Sequence, residues 1–141
     1  MSNYVFPFKK DIFQEFIKKI GWDSIDDWVD FCEKKELIKT IKGIKENKFK
    51  DDWIWGLLLP LLSKSYSYCN FDKKRKIIGI SALPGTGKST LGLIIEQLST
   101  NLEIKISVLS IDDFYLPNKE MLLAVKDNPW KVSRGFPGSH A

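Results

Sequence analysis

The chain is poor in cysteine, with two in 141 residues, Cys32 and Cys69. So few and so widely separated, they supply neither a disulfide framework nor the spacing of a metal site, and they are expected to stay reduced thiols in a cytoplasmic protein. Long hydrophobic runs are also missing. The longest, Ile54 to Leu62, falls far short of the roughly 20 residues that a membrane-spanning helix needs, so no membrane partner is expected. The N-terminus has Phe and Pro where a secretory signal has a basic start and a longer apolar centre, which argues against export. No internal repeat and no low-complexity tract is visible. Charge is not concentrated either. The net charge is +4, but the lysines are spread over amphipathic segments, and the compact run Asp72 to Lys76 (DKKRK) reads as a solvated connector, so nucleic acid is not the expected partner.

What is present is an ordinary globular balance, 43% apolar against 28% charged residues. Residues 1–70 read as helical. Asp11 followed by Gln14 resembles a helix start, Phe13, Phe16, Ile17 and Ile20 share a face, and Gly21 is a natural stop. Ser24 with Asp27 marks a second start, after which Ile25, Trp28, Val29 and Cys32 recur at helical spacing. Leu37, Ile41 and Ile44 sustain a third stripe. Trp53 to Leu62 is dense enough in apolar residues to be a helix buried on several sides and bent or ended near Pro60. The Trp residues here read as core and not as a ligand platform.

Residues 73–141 read differently. Lys76 to Ser81 (KIIGIS) is a strand pattern, Lys88 to Leu98 places Leu91, Ile94, Ile95 and Leu98 on one helical face, and Ile104 to Ile111 (IKISVLSI) is rich in β-branched residues. Leu122 to Val125 reads as a short helix. The order, together with the motif ALPGTGKST (Ala82 to Thr90) between the first strand pattern and its helix, predicts an α/β fold, a parallel sheet of the P-loop nucleotide-hydrolase type with only its N-terminal strands, preceded by the helical segment.

Between the first strand pattern and its helix lies Ala82 to Thr90, ALPGTGKST, a Walker A phosphate loop with Ala where the first Gly usually stands. That position needs smallness more than a positive φ. The residues Pro84, Gly85, Thr86, Gly87, Lys88, Ser89 and Thr90 are the expected nucleotide contacts. Gly85 and Gly87 let the backbone curl so that its N–H groups and the helix N-terminus face phosphate, Lys88 reaches the terminal phosphates, and the Ser89 hydroxyl binds magnesium. ATP and Mg²⁺ are the implied cofactors. The plain alternative is a Gly-rich turn that only starts a helix.

The second strand pattern ends at Asp112 and Asp113. Ligand sites in parallel sheets lie beyond the carboxyl ends of strands, so Asp112 is the candidate base for a phosphoryl acceptor, or a carboxylate that holds magnesium through water. The structural alternative is that both side chains cap the next turn.

Taken together, ALPGTGKST, SIDDFYL (Ser110 to Leu116), Asn128 with Pro129, and RGFPGSH (Arg134 to His140) resemble the glycerate 3-kinase family of the photorespiratory type. That family belongs to the P-loop kinase group that also holds phosphoribulokinase, uridine kinase and pantothenate kinase. The resemblance implies a catalytic or magnesium-organising role for Asp112, with Lys88 at the phosphates. It also implies an acceptor site drawn from Asp113, Tyr115, Arg134, Gly138, Ser139 and His140, for a small metabolite, glycerate above all. Arg134, Ser139 and His140 have the chemistry that a carboxylate and two hydroxyls require. The family pattern continues well beyond Ala141, so the chain is expected to be the N-terminal half of a kinase and inactive by itself.

Other readings stay open. The alternatives are a nucleoside or pantothenate as the acceptor, or a non-catalytic nucleotide-binding remnant. VLSIDD also resembles the Walker B strand of a motor ATPase. A GTP-dependent switch is disfavoured, because Asn118-Lys119-Glu120-Met121 lacks the final Asp of a base reader and no Asp-x-x-Gly occurs.

Overall fold

The computed structural model describes residues 4–44, 49–72 and 76–126. The chain divides into two compact units, 1–107 and 108–141.

In the first unit, α1 (Lys10–Lys19) and α2 (Ile25–Lys34) form the expected amphipathic pair. Lys9, not Asp11, is the N-cap of α1, and Asp11 lies in its first turn. Gly21 takes a φ of +102°. Its N–H donates to the Lys18 carbonyl (3.0 Å) and the Trp22 N–H to the Ile17 carbonyl (3.2 Å), the paired bonds of a Schellman close. Gln14 serves the next helix and not its own. Its amide donates to the Asp23 carbonyl (2.9 Å) and accepts from the Ile25 N–H (3.2 Å). Ser24 caps α2 as read, accepting from the Asp27 N–H at 3.1 Å. Ile25, Trp28, Val29 and Cys32 are all buried.

After α3 (Leu37–Gly43), a continuous helical rod begins with α4 (Asp51–Trp53), passes through a π-helical stretch (Ile54–Leu58), continues as α5 (Leu59–Ser67) and ends in a second π stretch (Tyr68–Asp72). Pro60 neither ends nor interrupts it. Pro60 is near the start of α5, directly after the widened π turn that makes room for its ring. Leu58, Leu59 and Leu62 are fully buried.

The parallel sheet does not form. Among the described residues there is no strand, and residues 76–83 and 104–110 carry no regular structure. The α/β fold expected from these two segments is therefore replaced by a helical one. β-branched composition supplies only a tendency, and a strand exists only where a neighbour takes its backbone donors and acceptors. Ile77 is 98% exposed and Leu109 75% exposed. The helix expected to cover the sheet, α6 (Lys88–Ser99), finds a different partner. Leu91, Ile94, Ile95, Leu98 and Leu102 join the same apolar core as Phe13, Ile17, Trp28, Leu58 and Leu62. Asn101 fixes the end of α6 to the corner between α2 and α3, donating to the Lys35 carbonyl (3.2 Å) and the Thr40 hydroxyl (3.1 Å).

In the second unit, a single 3-10 turn (Ile111–Phe114) precedes α7 (Asn118–Lys126), which contains the short helix read at 122–125. No helix among the described residues is long and apolar enough to cross a membrane.

Candidate functional site

The segment Ala82 to Thr90 folds into a defined hairpin of backbone ahead of α6. Leu83, Pro84, Gly85 and Thr86 make a turn closed by the Thr86 N–H on the Leu83 carbonyl (3.4 Å). Pro84 precedes Gly85, whose φ is +77°. This is the residue order of a type II turn, with proline presetting one φ and glycine accepting the positive one. The Thr86 hydroxyl reinforces it by donating to the same carbonyl (2.7 Å). Gly87 then takes φ +87°, ψ 18°, and stands as the N-cap of α6, its carbonyl accepting from the Leu91 N–H at 2.9 Å. A Cβ at Gly85 or Gly87 would meet nothing within 4 Å. The glycines are required for their backbone conformation, not for space. Ala82 keeps a negative φ, so the substitution at the first position costs nothing in conformation.

Lys88 folds back over this hairpin. Its ammonium donates to the carbonyls of Ala82 (2.7 Å) and Leu83 (2.8 Å). An ammonium has three donors, so one remains for an anion. The first N–H groups of α6 have no acceptor within the helix, and the helix dipole adds partial positive charge there. Gly87 has no side chain to cap them. Ser89 and Thr90 are exposed at this end. The arrangement therefore presents free backbone donors, one ammonium donor and two hydroxyls to solvent on a single short segment, the chemistry that binds phosphate oxygens.

Beside the loop lies a cleft of about 310 Å³ lined by Phe49, Lys50, Asp52, Trp53, Thr86, Gly87 and Thr90. Phe49 and Trp53 stack with ring centres 4.4 Å apart and planes within 7°. The first four residues were not legible as part of a site. Trp53 read as core, and it does pack against the core, but only partly buried, with the cleft on its other boundary. Helical spacing does not signal the pair, because Phe49 precedes α4, the helix that carries Trp53.

In the second unit, the two aspartates separate by role. Ser110 and Asp113 form a reciprocal cap on the 3-10 turn. The Asp112 N–H donates to the Ser110 hydroxyl (3.2 Å), and the Asp113 carboxylate accepts from the Ser110 N–H (3.1 Å). The Asp112 carboxylate is exposed and has no hydrogen-bond or ion-pair partner among the described residues. Without a ladder in 104–110, the strand-end argument that set Asp112 beside a phosphate no longer applies. Tyr115 follows the turn, half-buried. Arg134, Gly138, Ser139 and His140, expected at the acceptor, lie outside the described residues. Among the described residues no group of three or more His, Cys, Asp or Glu side chains is placed to hold a metal ion.

No family model matches the chain, and no solved structure gives a significant match. Two curated kinases are similar to part of it. An uncharacterized kinase of Schizosaccharomyces pombe, mug58, is 37% identical over 67 residues, 45% of this chain and 24% of that protein. The chloroplastic D-glycerate 3-kinase of Arabidopsis thaliana is 37% identical over 67 residues, 45% of this chain and 15% of that protein. The matched stretch thus spans less than a quarter of each relative. Both relatives are named as kinases.

Proposed function

We propose that this chain carries the ATP-binding segment of a kinase that phosphorylates a hydroxyl of a small metabolite, with D-glycerate the favoured acceptor. The observation that carries the reading is the loop from Ala82 to Thr90. Two positive-φ glycines bend it, and Lys88 is held against the bend with one donor to spare. Partial likeness to two proteins named as kinases supports phosphate transfer as the chemistry, and the name of one of them supports glycerate.

Lys88 and the α6 amides bind the terminal phosphates and stabilise the charge that gathers on them during transfer. Magnesium fits the residues present. It keeps several waters and takes other ligands from the phosphates themselves, so one exposed hydroxyl, that of Ser89, is a sufficient protein ligand on α6. The ion supplies charge neutralisation of the phosphates when bound. Asp112, whose carboxylate is not used by the local turn, takes the acceptor proton or binds the ion through water. Asp113, Tyr115, Arg134, Gly138, Ser139 and His140 contribute to the acceptor site.

The test is phosphate transfer from labelled ATP to D-glycerate by the protein expressed from the full reading frame that carries these residues. Formation of 3-phosphoglycerate is the expected result. Transfer to a nucleoside or to pantothenate instead would move the acceptor assignment, and ATP binding without transfer to any of them would make the chain a nucleotide-binding module.

A further inference from the structure

The cleft beside the phosphate loop has a chemistry that phosphate binding alone does not use. Its loop side is Thr86, Gly87 and Thr90, and its other side is the stacked pair Phe49 and Trp53 with Lys50 and Asp52. Lys88 does not line it. In a phosphate loop the lysine serves the β- and γ-phosphates while backbone amides cradle the α- and β-phosphates, so the nucleoside leaves the loop on the side away from the lysine. The cleft adjoins Thr90, the third residue of α6, and Lys88 is not among the residues that line it.

The geometry points to this cleft as the nucleobase subsite, with the base against the Phe49–Trp53 pair and Lys50 contributing positive charge near the α-phosphate. The inference rests on the proposed phosphate site and deepens it. A volume of about 310 Å³ is at the lower bound of small-molecule pockets and is compatible with a nucleoside. An aromatic pair is a sequence-tolerant stacking platform, because every base offers a π-face. Phe49 and Trp53 are only partly buried, so ring surface remains for a ligand.

Titrating Mg-ATP and inorganic tripolyphosphate separately into the chain, followed by calorimetry, tests this. ATP is expected to bind at least about fivefold more tightly than tripolyphosphate, the lower end of one stacked base. Phe49→Leu is expected to remove most of that preference while leaving tripolyphosphate affinity unchanged, which also shows that the variant is folded. Trp53→Phe, which keeps a ring, is expected to retain it. Equal affinity for the two ligands in the unmodified chain, or a preference that survives both Phe49→Leu and Trp53→Leu, overturns the base subsite and leaves the phosphate site standing. If neither ligand binds, both readings are overturned.

Discussion

The indole N–H of Trp28 donates to the hydroxyl of Ser63 at 2.8 Å, and that hydroxyl in turn donates to the Leu59 carbonyl at 2.8 Å. Trp28 is fully buried and Ser63 is 1% exposed. The pair ties α2 to α5 in the centre of a core that is otherwise apolar. Around it, Trp28 meets Phe13 and Trp55 edge-on, with ring centres 5.7 and 5.9 Å apart.

Ser63→Ala should therefore lower stability by about 1–3 kcal/mol, because the indole N–H is left buried without an acceptor. Urea unfolding followed by circular dichroism measures it. In a Trp28→Phe background the same substitution should cost clearly less, since the indole N–H is no longer there to be stranded.

The two cysteines should behave oppositely. Cys69 is exposed and Cys32 buried, and burial pushes the Cys32 thiol up to about 12 from an ordinary 9.0. A thiol-specific reagent at pH 8 should modify Cys69 quickly and Cys32 only after denaturant is added. Between pH 9 and 12 the unfolded chain loses the Cys32 proton while the folded chain keeps it. Unfolding then releases a proton, and stability falls as pH rises through that window. The difference in this slope between the unmodified chain and Cys32→Ala isolates the effect from lysine and tyrosine titration.

Gly87→Val should weaken ATP binding more than Gly87→Asn. Nothing stands within 4 Å of a Cβ at this position, so the penalty is that of a left-handed backbone, roughly 1–2 kcal/mol for most residues and less for Asn. Equal losses for the two variants in a calorimetric titration would point to a steric cause instead.

Asp113→Ala should speed hydrogen exchange of the Ser110 amide, which loses its acceptor. Asp112→Ala should leave that amide unchanged, as its carboxylate takes no part in the cap.

The helical half was legible because its signals are local. Ser24, Gly21 and the spacing of Ile25, Trp28, Val29 and Cys32 each act within a few residues, and the structure places them as their chemistry requires. The bend at Gly85 and Gly87 was legible for the same reason, and both glycines take a positive φ. What failed was the step from composition to partnership. Residues 76–83 and 104–110 have the side chains of strands, but pairing is decided by groups far away in sequence, and the apolar face of α6 settled on helices instead. The cleft was missed because Phe49 and Trp53 lie more than 30 residues before Thr86, Gly87 and Thr90, a distance no short motif spans. Pro60 misled for a subtler reason. A π turn just before it removes the clash that would have ended the helix.

The central claim is that the bend ahead of Lys88 binds the phosphates of ATP, and calorimetric titration of Mg-ATP into the chain and into its Lys88→Ala variant tests it most directly. One saturable site in the unmodified chain, lost in the variant while its circular dichroism spectrum is retained, is the predicted result. No heat of binding in the unmodified chain, or the same affinity in both, would contradict it.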